Sequence, residues 1–174
     1  MGLFLTDYTA DEVEGCIRRA YGEGKFDDER CAPTKMFDEQ DAFNVLELWH
    51  GPTSAFKDMA LQLLPQLMST AMKKTGEKDE ILILVATSGD TGKAALEGFR
   101  DVEGIKIMVF YPEGGVSRIQ HLQMCTQSGN NVMVMAVRGE PVIFTGVSPI
   151  NRSNSLPVRT LGKPGLVTAH TGVR

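Results

Sequence analysis

The stretch that decides the fold is Ile-Leu-Ile-Leu-Val-Ala-Thr-Ser-Gly-Asp-Thr-Gly, residues 81–92. Its first six residues form a continuous apolar run, which is typical of a strand buried on both faces of a parallel sheet. The glycine-containing turn leads into a predicted helix from Thr91 to about Arg100. A strand that passes through a short polar turn into a helix is the repeating unit of α/β proteins.

The same order of elements continues on the C-terminal side. We predict a strand over residues 105–110, a helix from about Ser117 to Gln127 and a strand over residues 131–137. Strands that alternate with helices through short connections predict an α/β fold with a parallel sheet and flanking helices.

Two predicted helices and one predicted strand precede this stretch. Residues 6–24 predict a helix, and residues 43–49 predict a strand. After a Gly-Pro turn, a second helix with a threonine or serine cap is predicted over about residues 53–72. Pro65 lies inside this helix and is expected to kink or split it.

The pattern divides the chain into a helical N-terminal segment (residues 1–42), a parallel α/β domain (residues 43–139) and a divergent tail (residues 140–174). From residue 141 to the end there is no Asp or Glu, whereas four basic residues and four of the eight prolines lie there. A basic arm, a linker and residues translated out of frame all fit this composition. We expect the tail to lie outside the core.

The bulk composition excludes several function classes. The chain has 174 residues and a net charge of −4, so nothing favours nucleic-acid binding, and no apolar run is long enough to predict a membrane span. The three cysteines are isolated, which predicts a cytoplasmic protein, and no metal-ligand spacing is found. The sequence does not predict an oligomeric state.

The position predicted for Lys57 suggests that this residue is a nucleophile. In His-Gly-Pro-Thr-Ser-Ala-Phe-Lys-Asp, residues 50–58, Lys57 is predicted in the first turn of a helix, at one end of an apolar stripe. Partial desolvation and the positive end of the helix dipole both favour the neutral amine, which is the form that attacks a carbonyl. An exposed lysine with Asp58 as its counter-charge remains an alternative.

The turn over residues 87–92 predicts an anion site. Backbone N–H groups at a helix start, together with the hydroxyls of Thr87, Ser88 and Thr91, form a suitable pocket. The pattern is not a nucleotide-binding P-loop, because Ala94 follows the lysine where Ser or Thr is needed. An ordinary turn capped by Asp90 or Thr91 is the alternative.

Together these segments resemble threonine synthases, pyridoxal-phosphate enzymes of fold type II. The resemblance runs through residues 47–60, 86–95 and 111–117 and extends over most of residues 1–139. It implies that Lys57 forms the Schiff base with pyridoxal 5'-phosphate. It also implies a cofactor contact from Asp90 and substrate contacts from the turn residues Thr87, Ser88, Gly89, Asp90, Thr91 and Gly92.

The implied reaction converts O-phospho-L-homoserine and water into L-threonine and phosphate. The resemblance stops after Gly139, and the glycine-rich loop that holds the cofactor phosphate in the family is not found. We therefore expect an incomplete chain that is inactive alone. The alternatives are another fold type II lyase, including a phospho-lyase relative of the family, or a non-catalytic α/β fragment.

Overall fold

The structure is a computed structural model that describes residues 2–22, 24–38, 43–87, 89–138 and 166–170. For residues 37–38 and 166–170 it describes the backbone alone. Within these residues the helices are α1 (Ala10–Tyr21), α2 (Asp58–Leu61), α3 (Leu64–Thr75), α4 (Asp90–Phe99) and α5 (Arg118–Cys125). The strands are β1 (Thr34–Asp38), β2 (Phe43–Leu46), β3 (Ile81–Ala86), β4 (Ile105–Pro112), β5 (Val132–Arg138) and β6 (Leu166–His170).

The strands form two separate sheets. β1 and β2 pair antiparallel, whereas β3, β4, β5 and β6 form one parallel sheet in that order. The predicted parallel α/β fold with flanking helices is therefore confirmed. The strand predicted over residues 43–49 is shorter than expected and pairs with β1 instead of joining the parallel sheet.

The sequence pattern did not predict β6, whose backbone pairs with β5. The rest of the tail lies outside the described residues, so its exclusion from the core stays a prediction. Among the helices that the structure describes, none combines the length and the apolar character needed to span a bilayer.

The core lies between the parallel sheet and the helices that follow its strands. Leu96 and Phe99 of α4 pack against Ile107 and Val109 of β4, and Met124 of α5 completes this cluster. The turn before α4 brings that helix close to the sheet. The burial of these apolar side chains supplies the main favourable free energy of the fold.

β3 differs from the expected strand buried on both faces. Its side chains alternate, and Leu82 and Leu84 are 41% and 46% exposed. β3 lies at the edge of the described sheet, and only the face that carries Ile83 and Val85 packs on the core cluster. The continuous apolar run therefore predicted the strand correctly but did not predict that one of its faces is exposed.

Pro65 splits the long helix predicted over residues 53–72, as expected. It lies in the first turn of α3, where its missing N–H costs no helical hydrogen bond. The start at residue 53 was wrong, because α2 begins only at Asp58. Residues 53–58 instead form a turn that is closed by the Asp58 side chain.

Candidate active site

The segment from Gly51 to Asp58, called here the lysine turn, is closed by a buried carboxylate. Asp58 is 1% exposed; the backbone N–H of Thr53 donates to its Oδ2 at 2.8 Å and the Thr53 hydroxyl to its Oδ1 at 2.7 Å. Burial raises the pKa of Asp58, and the Thr53 hydrogen bonds oppose that rise. A Cβ at Gly51 would lie 2.5 Å from Asp58 Oδ2, so only glycine fits there.

Lys57 lies at the end of the lysine turn, directly before α2 rather than inside a long helix. It is partly buried, and its Nζ lies 4.7 Å from the centroid of the Phe56 ring. The predicted apolar stripe is interrupted because α2 ends at Leu61 and Leu64 is 43% exposed. The rigid turn, rather than a helix face, therefore holds the lysine.

The residue before the lysine turn, His50, is held between two carboxylates. Its Nε2 lies 2.7 Å from Glu47 Oε2, and its Nδ1 contacts Asp27 Oδ1 at 2.5 Å. Glu47 also pairs with Lys35 Nζ at 3.0 Å. Glu47 and then Asp27 raise the pKa of His50, while His50 and Lys35 lower the pKa of Glu47. This network ties the lysine turn to the N-terminal segment.

The segment from Thr87 to Gly92, called here the glycine turn, is organised by one hydroxyl. Thr87 Oγ1 accepts hydrogen bonds from the N–H groups of Gly89 and Gly92, each at 3.0 Å. Gly89 is the cap position of α4, and neither Asp90 nor Thr91 caps the helix, contrary to the ordinary-turn alternative. The hydroxyl of Thr87 thus replaces a conventional side-chain cap.

Two glycines allow close approaches in the glycine turn. Gly89 has φ +151°, and a Cβ there would lie 2.3 Å from Gln120 Nε2. A Cβ at Gly92 would lie 2.4 Å from Thr87 Cγ2 and 2.9 Å from Val109 Cγ1. Gln120 Nε2 also donates to Asp90 Oδ1 at 2.8 Å. The turn is therefore fitted between β4 and the start of α5.

The structure places most of the predicted site residues in two turns, each of which precedes one of two helices that pack together. The glycine turn gathers Thr87, Gly89, Asp90 and Gly92, and Thr91 follows in the first turn of α4. Ser88 lies outside the described residues.

Lys57 directly precedes α2, and α2 packs against α4, the helix that the glycine turn begins. The two helices pack so closely that a Cβ at Gly98 would lie 2.0 Å from the Leu61 carbonyl oxygen. The proposed catalytic and binding roles of the lysine turn and the glycine turn stay predictions.

Sequence reasoning missed the supporting residues Gln120, His50 and Thr53. Ser117 and Gln120 form a reciprocal capping pair at the start of α5, and that Ser-x-x-Gln spacing could have drawn attention to Gln120. His50 had no such signal, because its partner Asp27 lies 23 residues away in the sequence. Thr53 was a candidate helix cap, and the structure instead pairs its hydroxyl with Asp58.

The known proteins that this chain resembles are threonine synthases. No protein-family model matches the chain. It is 36% identical over 134 residues to threonine synthase from Saccharomyces cerevisiae, which covers 74% of this chain and 26% of that protein. It is 48% identical over 95 residues to threonine synthase from Pseudomonas aeruginosa, which covers 55% of this chain and 20% of that protein.

A solved structure agrees with these relatives. The fold is similar to that of pyridoxal phosphate-bound threonine synthase from Brucella melitensis, with a TM-score of 0.67 and 38% identity. The match covers 75% of this chain and 27% of that one. The chain thus spans about a quarter of the length of the relatives it matches. Its fold is part of the α/β fold of pyridoxal-phosphate enzymes of fold type II, as the sequence predicted.

Proposed function

Because this chain resembles part of threonine synthase over most of its length, we propose that it carries the cofactor-binding lysine of such an enzyme. The activity proposed for the whole protein converts O-phospho-L-homoserine and water into L-threonine and phosphate. The observation that supports this most directly is the lysine turn, in which a buried Asp58 closes the turn that carries Lys57.

The residues present fit pyridoxal phosphate by their chemistry. An aldehyde needs a primary amine, and Lys57 supplies one at a fixed point of the backbone. A carboxylate or other anionic group needs N–H donors, and the glycine turn opens α4 at the positive end of its dipole. When bound, the cofactor supplies an electron sink for negative charge that develops on substrate carbon atoms.

We assign each residue a role on that basis. Lys57 Nζ holds the cofactor and, once free of it, accepts and returns a proton as a general base and acid. Asp58 and Thr53 fix the position of the lysine, since their hydrogen bonds close the turn that carries it. Asp90, oriented by Gln120, contacts the polar edge of the cofactor.

The glycine turn is the proposed substrate site. The first N–H groups of α4, with the hydroxyls of Ser88 and Thr91, bind the carboxylate of the small-molecule substrate. Thr87 shapes the turn, because its hydroxyl accepts from the N–H groups of Gly89 and Gly92 and donates to the Gly89 carbonyl at 3.3 Å. We also propose a cytoplasmic location, which the free cysteines Cys16, Cys31 and Cys125 support.

Borohydride reduction tests the lysine assignment without measuring turnover. The chain is incubated with pyridoxal phosphate, reduced and digested, and the modified peptides are identified by mass spectrometry. We expect the label at Lys57 to exceed the label at the exposed lysines Lys35, Lys73 and Lys74. In Lys57→Gln the excess should vanish, while the weak labelling of the three other lysines should not change.

A Lys73→Gln variant provides the matched control, since it removes an exposed lysine from α3 and leaves the lysine turn intact. Equal labelling of all four lysines in the folded chain would overturn the proposal and favour a non-catalytic α/β fragment. For the whole protein, phosphate release from O-phosphohomoserine without threonine formation would indicate a phospho-lyase instead.

A further inference from the structure

A second group of reactive side chains lies where β4 meets α5, and none of its members was given a role above. It consists of Tyr111, His121 and Cys125 and is called here the thiol cluster. Tyr111 is buried, with 2% of its surface exposed, whereas His121 and Cys125 lie one turn apart on α5 and are both exposed. Solvent therefore reaches the sulfur and the imidazole but not the tyrosine ring.

The polar atoms of the thiol cluster are within reach of one another. The hydroxyl of Tyr111 lies 3.0 Å from Nδ1 of His121 and 3.7 Å from Sγ of Cys125. The sulfur lies 3.7 Å from Nε2 and 3.8 Å from Nδ1 of the imidazole. The two rings meet edge to face, with centroids 5.6 Å apart, so the imidazole is held beside the sulfur.

This arrangement favours a reactive thiol. A neutral imidazole whose Nδ1–H donates to the Tyr111 oxygen leaves Nε2 free to accept the thiol proton. The Tyr111 hydroxyl can then donate a hydrogen bond to the thiolate. Burial, and next the contact with Cys125, raise the pKa of Tyr111, so the proton stays on the tyrosine oxygen. Among the described residues, Glu113, which pairs with Arg138, also raises the pKa of Tyr111, and Arg118 lies one turn before His121 on α5.

The other two cysteines have different surroundings. Cys16 is fully buried, and its sulfur contacts the Thr70 hydroxyl at 3.2 Å. Cys31 is partly buried, and burial raises the pKa of its thiol. Both environments disfavour the thiolate or block access to it, so they serve as internal controls.

We propose that Cys125 is a modification site, an exposed thiol that His121 activates for exchange with low-molecular-weight disulfides. The thiol proton passes to His121 Nε2, and the thiolate attacks one sulfur of the disulfide. The new S–S bond forms as the old one breaks, and the other half leaves as a thiolate that takes up the proton. The small disulfide is itself the oxidant, so no further reagent is needed. His121 acts through the sulfur and is a positioning and activating residue.

The test measures disulfide exchange at each cysteine of the folded chain. The chain is mixed with 5,5'-dithiobis(2-nitrobenzoate), the released thiolate is followed by absorbance, and the adducts are located by peptide mass spectrometry. At neutral pH we expect Cys125 to react roughly tenfold faster than Cys31, because its exposed sulfur contacts an imidazole that can accept the thiol proton, whereas burial raises the pKa of the Cys31 thiol. His121→Gln should remove most of that advantage, because the acceptor of the thiol proton is lost.

Two further variants separate activation from structure. Tyr111→Phe should slow Cys125 less than His121→Gln does, because it removes only the hydroxyl contacts. Ile119→Gln changes a residue of α5 that is 71% exposed and should leave the rate unchanged. Equal rates of Cys125 in His121→Gln and in the unmodified chain would overturn the proposal.

Discussion

Thr53→Val tests whether the buried carboxylate of Asp58 holds the lysine turn together. Valine keeps the shape of threonine but removes the hydroxyl that donates to Asp58 Oδ1 at 2.7 Å; the backbone N–H bond to Oδ2 at 2.8 Å stays. Thr53 is 7% exposed and Asp58 is 1% exposed, so water cannot easily replace the lost donor. A hydrogen bond to a charged group contributes about 1.5–3 kcal/mol, and we expect a loss of that size in the free energy of unfolding.

Chemical denaturation at neutral pH measures this loss, and the slope of the transition shows whether unfolding stays cooperative. Thr53→Ser is the matched control, because it keeps the donor and removes only a methyl group, at a cost of about 1 kcal/mol. Thr126→Val, which removes an exposed hydroxyl that donates to the Leu122 carbonyl at 2.7 Å, controls for hydroxyl loss in general. If Thr53→Val were no less stable than Thr53→Ser, the Thr53–Asp58 bond would not be what closes the lysine turn.

Three other predictions follow from the same structure. Gly89→Ala should lower the free energy of unfolding by about 1–3 kcal/mol, because φ +151° is strained for alanine and its Cβ would overlap Gln120; an unchanged denaturation midpoint would contradict this conformation. Phe99→Ala should cost about 3–5 kcal/mol, since the ring is 1% exposed in the core cluster, and a loss below about 1 kcal/mol would contradict that packing. Glu47 and Asp27 raise the pKa of His50, so the protonated ring stabilises the fold below the ordinary histidine pKa, and this contribution disappears as pH rises through the raised value. The stability difference between the unmodified chain and His50→Gln should therefore shrink with rising pH, and a difference independent of pH would contradict the network.

Local patterns predicted the parallel part of the fold. Strands β3, β4 and β5 and helices α4 and α5 were found near their observed bounds, because apolar runs and the polar turns between them are local signals. Pro65 likewise predicted the break before α3, since the effect of proline on a helix is local. Features that depend on residues close in the sequence could therefore be predicted.

Most features that depend on partners far away in the sequence could not be predicted. The start of α2 is a local exception, because Asp58 bonds to Thr53 five residues before it and the helix pattern does not encode that turn. β6 was missed because its pairing with β5 is set by the sheet and not by its own sequence. For the candidate site, Lys57 and the glycine turn were identified from spacing, but Gln120 comes to Asp90 only through the packing of α5.

The order of strands in the parallel sheet also bears on how the chain forms during synthesis. β3, β4 and β5 are neighbours in space in the order in which they are made, and the register pairs Ile81 with Ile105 and Ile107 with Val132. Each new pairing therefore closes a loop of only roughly 25 residues, which keeps the entropy cost of closure small. A nascent chain can add one strand–helix unit at a time as it leaves the ribosome, and the pairings among β3, β4 and β5 need no partner from a distant part of the sequence.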